Sequence, residues 1–290
     1  MTATTRSYLY VPGNAADKLS RAVGRGADAL IVDLEDAVPL QGKDAARDAV
    51  VAWLADQPAG EPVDLWVRVN SGPLRETDVQ ALANIASLTG IVLAKVEDAA
   101  EVVAIDALLT SLGDSTTSVM PLLETAGAVL DARAIAAGPR VQQLQIGEVD
   151  LAGELGLLPG DDEAELAPFR ALVVLASTAA GIDPPVGPVS RITKDTDAFE
   201  VSTRRVQRQG FVGRACIHPA QLPVVHAVFT PTADDVAEAE AVIAMVAAAE
   251  ARGTGVVLDE DGRLVDPAVL HSARRTLALA ESAAQRDGTP

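Results

Sequence analysis

Between Met120 and Gly156 the chain reads as strand, helix, strand, and each strand-like run leads to an acid. The apolar run Val119 to Leu123 ends on Glu124, and a helical pattern then carries Ala128 to Ala137. Gly138-Pro139 punctuates, and Val141 to Ile146 leads through Gly147 to Asp150. Short apolar runs bounded by turn residues suit strands buried on both faces, as in a parallel sheet. Parallel pairing puts both acids at the carboxyl end of the sheet, where open α/β sheets and barrels place their sites. Two hard oxygen ligands one βα unit apart suit Mg²⁺, which takes one or two carboxylates and leaves its other positions to water and substrate. For either residue alone, a helix-capping Glu or a turn Asp is an equal alternative. Their equivalent placement favours the metal.

The same rhythm runs through the chain. Ser7 to Val11 reads as a first strand, and Pro12-Gly13-Asn14 as a turn into a helix carrying Lys18 and Arg21. Asn14 is a candidate cap, and a helix start beside Lys18 is a place for phosphate, although an ordinary capped helix explains the same residues. Ala29 to Val32 ends in Asp33-Leu34-Glu35-Asp36. Three acids there are either a solvated rim, paired in part with Lys43 and Arg47, or a second shell around a metal and its basic neighbours. Val63 to Val69 carries Arg68 at its carboxyl end, placed either to grip a carboxylate bidentately or to bridge to those acids. Ile91 to Ala94 ends on Lys95. Pro168 to Ala180 and Asp197 to Gln207 read as helices, Pro184 to Val189 as a Pro-broken seventh strand, and Phe211 to Ile217 as the eighth. His218 then reads as a hydrogen-bonded structural residue. Eight strands predict a TIM (β/α)₈ barrel over 1–230 with its site at the carboxyl end.

Residues 231–290 form an extension expected to pack on the barrel or on a neighbouring subunit. Asp234 to Ala251 is a long helix, Val256 to Val265 has hairpin chemistry around Asp259-Glu260-Asp261-Gly262, and a last helix starts at Pro267. Aromatics make up only 3% of the 290 residues, so Ala, Val, Leu and Ile must build the core. A net charge of −18 argues against a nucleic-acid partner. The single cysteine, Cys216, excludes an intramolecular disulfide framework. No apolar run approaches the ~20 residues of a membrane span, and the N-terminus lacks a secretory pattern. A soluble cytoplasmic protein is expected.

Several motifs occur in a recognisable order: RSYLYVPGN, ADALIVDLEDAV, WVRVN, the Lys95 segment, LLET, IGEVDL and GFVGRACIHPAQ. Together they resemble the CitE-like acyl-CoA lyases of the HpcH/HpaI aldolase and citrate lyase β-subunit superfamily, over nearly the whole chain. The resemblance implies a TIM barrel assembled as a homotrimer or homohexamer. It also implies Mg²⁺ and the making or breaking of a C–C bond beside a CoA thioester. By position, Glu124 and Asp150 match the metal-binding acids, and Arg68 the arginine that grips the substrate carboxylate. The turn with Asn14 and Lys18 matches the part that meets CoA. GRLVDPAVLHSARRTL resembles the C-terminal lid of malyl-CoA-type lyases, in which the acid matching Asp266 is the catalytic acid or base inserted into a neighbour's site. Ala94 and Ala126 replace frequent prolines, and Glu148 adds an acid beside the metal loop.

The implied activity is a Mg²⁺-dependent lyase on a citryl-, malyl- or citramalyl-CoA-type ester. Its partners would be a CoA thioester and a small 2-oxo acid (glyoxylate, pyruvate or oxaloacetate), and the reaction could also run as a condensation. A metal aldolase on free 2-keto acids and a non-catalytic CoA-ester-binding subunit are the alternatives.

Overall fold

The computed structural model describes residues 4–60, 62–251 and 264–288, so most of the expected hairpin over 256–265 lies outside the described residues. The chain divides into two compact units, one of Ser7–His226 and one of Ala227–Pro290 with the first six residues.

The larger unit is an α/β fold with seven parallel strands. They are β1 (Ser7–Pro12), β2 (Ala29–Asp33), β3 (Asp64–Val69), β4 (Gly90–Leu93), β5 (Ser118–Leu123), β6 (Gln145–Ile146) and β7 (Arg214–Cys216). Their order is β6-β5-β4-β3-β2-β1-β7, so most neighbours in sequence are neighbours in space, as short right-handed crossovers favour. Both faces of the sheet are covered. Leu30, Ile31, Val67, Val92 and Val119 are fully buried, which explains why these strands read as continuous apolar runs and not as alternation. Tyr8, Ile31, Trp66, Val92, Met120 and Ala215 form one packed cluster. Gly90 makes room for Trp66, because a Cβ there would collide with the ring and with the Ser118 carbonyl.

Register delivers the site. Asp33 on β2 lies beside Arg68 on β3, and Leu123 on β5 beside Ile146 on β6, so the residues that end these strands gather at one end.

Three expected elements differ. The seventh strand over 184–189 is reduced to isolated parallel bridges, Gln145 with Val186 and Gly187 with Arg214. Val186 N–H donates to the Leu144 carbonyl (2.8 Å), and Gly187 N–H to the Gly213 carbonyl (3.0 Å). Pro184, Pro185 and Pro188 lack the N–H donors that a longer ladder needs. The strand expected over 141–146 keeps only Gln145–Ile146 and a bridge at Val141. The helix expected over 128–137 is two short ones, Ala126–Leu130 and Ala132–Ala136. They part at Asp131, whose carboxylate accepts the Ala99 N–H at 3.1 Å.

In the smaller unit, helices Ala233–Ala251 and Pro267–Arg286 pack together. Arg6 holds Asp287 by a two-toothed contact (2.6 and 3.2 Å) and Thr230 at 2.9 Å, tying the N-terminus to the last helix. Among the described residues no helix is long and apolar enough to cross a membrane.

Candidate active site

Glu124 follows β5 directly and is only 3% exposed. Its Oε1 accepts the Lys95 N–H at 2.7 Å, and among the described residues its Oε2 accepts no hydrogen bond. Gly147 makes the fit possible: a Cβ there would lie 2.6 Å from the Glu124 Cβ and 2.9 Å from Oε2. Burial pushes the Glu124 carboxyl up to about 7. The Lys95 N–H and the charges of Arg68 and Lys95 work against that rise, and Asp150 adds to it.

Asp150 lies in the first turn of the helix Glu148–Leu155, a position that favours a negative charge. Its side chain is about half exposed, and Oδ1 stands 3.6 Å from Lys95 Nζ. The same ammonium is 4.0 Å from Glu35 Oε1. Lys95 therefore touches both acids read as metal ligands, one through its backbone and one through its side chain. Burial alone would lower the Lys95 ammonium, but Glu124, Asp150, Glu35 and Asp36 outweigh it and hold it above its ordinary value.

Arg68 is bound by Asp33, with Nε donating to Oδ1 (2.7 Å) and Nη2 to Oδ2 (2.6 Å). Nη1 faces Glu35 at 3.2 Å and Asp36 at 3.7 Å, and the guanidinium lies over the Tyr10 ring, 5.2 Å from its centre. The bridge from Arg68 to the acids of the second strand is thus present, and it occupies the side-on fork. Asp33 also accepts the Glu35 and Ala37 N–H groups at 2.8 and 3.0 Å, so it is an anchoring acid with little left to offer. Lys43 donates to the carbonyls of Leu34 and Glu35 and fixes the loop; Arg47 instead pairs with Asp44 and Asp78.

Asp33, Asp36, Arg68, Glu124 and Asp150 border a cavity of about 840 Å³ whose lining also includes Lys18 and Arg25. Tyr10 and Gln145 also line it and bond to each other at 3.1 Å, a pair that sequence reading missed. The alternation of Tyr8 and Tyr10 along the first strand was the available signal.

Other expectations are corrected. Asn14 does not cap the helix Ala16–Leu19: Ala15 stands at the cap with no side-chain bond, and the helix is a single turn. Asn14 is exposed, and Lys18 is exposed at the cavity. Glu148 does stand beside the expected metal loop, in the cavity lining, and it is buried and paired with wholly buried Arg170, whose Nη2 donates to Oε2 at 2.7 Å. His218 has the expected structural role: Nδ1 accepts the Ala220 N–H at 3.1 Å, and Gln221 answers across a capping box. In the smaller unit, Asp266 caps the last helix, and Oδ1 accepts both the Ala268 and Val269 N–H groups (2.9 and 3.0 Å).

The donor set fits magnesium. Among the described residues no three His, Cys, Asp or Glu side chains stand together as a closed metal cage. Two hard carboxylates with an open cavity beside them match an ion that keeps water and substrate ligands; they do not match a nitrogen- and sulfur-seeking structural zinc. Glu124 Oε2, which accepts no hydrogen bond among the described residues and belongs to a side chain that lines the cavity, is the oxygen that such an ion would satisfy.

The model of the HpcH/HpaI aldolase/citrate lyase family matches residues 6–219. A (3S)-malyl-CoA thioesterase of Cereibacter sphaeroides is 36% identical over 281 residues, covering 96% of this chain and 95% of its own. An L-malyl-CoA/beta-methylmalyl-CoA lyase of that species is 31% identical over 303 residues, covering 95% and 94%. Among solved structures, protein CitE of Mycobacterium tuberculosis in complex with magnesium, acetoacetate and coenzyme A superposes with a TM-score of 0.80 at 29% identity. That match covers 97% of this chain and 100% of the other. With most of the chain inside the family model and relatives matched along nearly their whole length, the chain belongs to the HpcH/HpaI aldolase/citrate lyase family.

Proposed function

We propose that this protein is a Mg²⁺-dependent carbon–carbon lyase acting on a 3-hydroxyacyl-CoA ester of the malyl, citramalyl or citryl type, in cleavage or in condensation. It works in the cytoplasm as a homotrimer or homohexamer of (β/α)₈ barrels, each closed through the 186–187 segment. The observation that carries the reading is the meeting of Glu124 and Asp150 on Lys95 at the rim of a cavity that also holds Arg68. The malyl-CoA relatives and the magnesium, acetoacetate and coenzyme A bound to CitE support it.

Cleavage removes the proton of the substrate hydroxyl and breaks the bond between the carbinol carbon and the carbon next to the thioester. The electron pair passes to a thioester enolate, which is protonated to the shorter acyl-CoA while a 2-oxo acid departs. Held by Glu124 and Asp150, Mg²⁺ supplies Lewis acidity and a template for the oxo-acid half. Arg68 keeps its side-on fork on Asp33, and its end-on edge, where Nη1 also pairs with Glu35 at 3.2 Å, turns its remaining protons to the substrate carboxylate. Fixed by Asp33 and Tyr10, the guanidinium needs no reorganisation to stabilise developing negative charge. Lys18, with Asn14 beside it in the N-terminal turn, suits the anionic end of CoA. Asp266, supplied from a neighbouring subunit, is the general base; its cap bonds both fall on Oδ1 and none of them on Oδ2.

The 36% identity to a malyl-CoA thioesterase favours a second reading, hydrolysis of the thioester. Products decide between the two. The protein is given a panel of 3-hydroxyacyl-CoA esters with Mg²⁺ while oxo acid and free thiol are assayed together. Oxo acid released without thiol supports the lyase, and thiol without oxo acid makes the protein a hydrolase. Condensation of pyruvate with an aldehyde, and no reaction with CoA esters, moves it to the free 2-keto acid aldolases. Tight binding without turnover leaves a CoA-ester-binding subunit.

A further inference from the structure

Lys95 occupies an unusual backbone position. Its φ is +51°, in the left-handed region that side chains other than glycine seldom enter and that persists where surrounding contacts enforce it. Arg75 provides that enforcement: Nη2 donates to the Ala94 carbonyl (2.7 Å) and the Lys95 carbonyl (3.4 Å), and Glu101 pairs with the same guanidinium. The turn delivers two groups in two directions. The N–H goes to Glu124, and the ammonium goes to Asp150 (3.6 Å) and Glu35 (4.0 Å).

Glu35, Glu124 and Asp150 stand around the Lys95 ammonium, and Arg68 is already committed to Asp33 and, through Nη1 at 3.2 Å, to Glu35, so Lys95 is the cation next to Asp150. Like charges so close repel unless a cation lies among them. We propose that the Lys95 ammonium is a built-in counter-cation that competes with the divalent ion for Asp150. It keeps the acids assembled when the ion is absent, and it sets the site's affinity for Mg²⁺ below what the carboxylates alone would give. This rests on the reading of Glu124 and Asp150 as metal ligands. Whatever stabilises the ion-free form must weaken ion binding by the same factor.

The backbone N–H that holds Glu124 survives any substitution except proline, so charge can be removed without losing that bond. Mg²⁺ is titrated calorimetrically into metal-stripped wild type, Lys95→Met and Lys95→Arg, and the metal-free melting temperature of each is recorded. Lys95→Met should bind Mg²⁺ about 5- to 50-fold more tightly, within the usual span of site-to-site coupling, and melt lower without metal. Lys95→Arg, which keeps the charge, should stay near wild type in both. A structural role for the side chain would weaken Mg²⁺ binding in both variants. Unchanged or weaker binding by Lys95→Met overturns the proposal, and Lys95→Gln decides in the same way if the Met variant does not fold. If wild type binds no Mg²⁺, the metal reading itself fails and takes this proposal with it.

Discussion

Asp114 and Glu124 bracket β5, one before its amino end and one after its carboxyl end, and the protein treats them in opposite ways. Asp114 is saturated. It accepts the N–H groups of Asn84 (2.7 Å), Thr116 (3.0 Å) and Thr117 (2.9 Å) and the Thr117 hydroxyl (2.7 Å), with Arg140 at 3.4 Å. Burial alone would raise its carboxyl, but those donors outweigh it and bring the group down to about 2. Glu124, equally buried, receives one N–H and is pushed up to about 7. A fold stabilises itself by satisfying a buried acid completely, whereas a site keeps one unsatisfied so that a ligand can complete it. On the proposed reading, the amino end of the strand serves stability and the carboxyl end serves chemistry.

The strongest way to break that contrast is to remove the acids at the carboxyl end. Glu124→Ala and Asp150→Ala should each lower turnover by at least ~10³-fold, since a metal site supplies several kcal/mol of transition-state stabilisation. The unfolding midpoint should barely move. Full activity in excess chelator would count against the metal directly.

Asp266 sharpens the contrast, because it serves as a cap through one oxygen and, in the proposed mechanism, as a base through the other. Asp266→Asn should keep fold, metal binding and assembly yet lose ~10²–10⁴ in rate, the usual range for general acid–base catalysis. Mixing inactive Asp266→Asn with inactive Glu124→Ala subunits under exchange should restore activity if the site is shared. Mixed oligomers that stay inactive refute the sharing.

At Arg68 the two regimes meet, since one guanidinium both satisfies Asp33 and faces the cavity. Lys keeps the charge but loses the planar fork, so Arg68→Lys should reduce kcat/KM by at least ~10-fold, given ~1.5–3 kcal/mol for a hydrogen bond to a charged group. Near wild-type kinetics would remove Arg68 from the mechanism.

The smallest kinetic effect is expected at the amino end. Asp114→Asn should leave kcat and KM unchanged and cost on the order of 2 kcal/mol of stability, the linkage value of a carboxyl held about two units below its unfolded pKa. Because the folded-state value is lowered, the stabilisation is complete above about pH 4 and disappears as pH falls through about 2. Urea melts at pH 7 and pH 2.5 should therefore differ more for wild type than for the variant.

Much of the carboxyl end was legible in the sequence because each residue there ends an apolar run. Glu124, Arg68 and Asp33 could be placed once Val119–Leu123, Val63–Val69 and Ala29–Val32 were read as parallel strands, and Asp150 lies just beyond a fourth run. What escaped depends on distant partners. The Pro-broken strand over 184–189 is the exception, a local effect: it keeps only the bridges at Val186 and Gly187 because three prolines lack N–H donors. Glu148 could be placed beside the loop, but its pairing could not be foreseen, because Arg170 lies 22 residues further on. The left-handed turn at Lys95 is imposed by Arg75, 20 residues earlier, and no local pattern announces it. Asn14 was offered as a cap for a helix too short to need one.

The most direct test of the contrast along β5 is thermal unfolding with and without Mg²⁺ for wild type, Glu124→Gln and Asp114→Asn. Glu124→Gln is nearly isosteric and can still accept the Lys95 N–H, so it removes charge and little else. Mg²⁺ should raise the wild-type melting temperature and should raise that of Asp114→Asn by the same increment from a lower start. It should leave Glu124→Gln unmoved. An undiminished increment in Glu124→Gln, or its loss in Asp114→Asn, would contradict the assignment of the carboxyl end to the metal and the amino end to the fold.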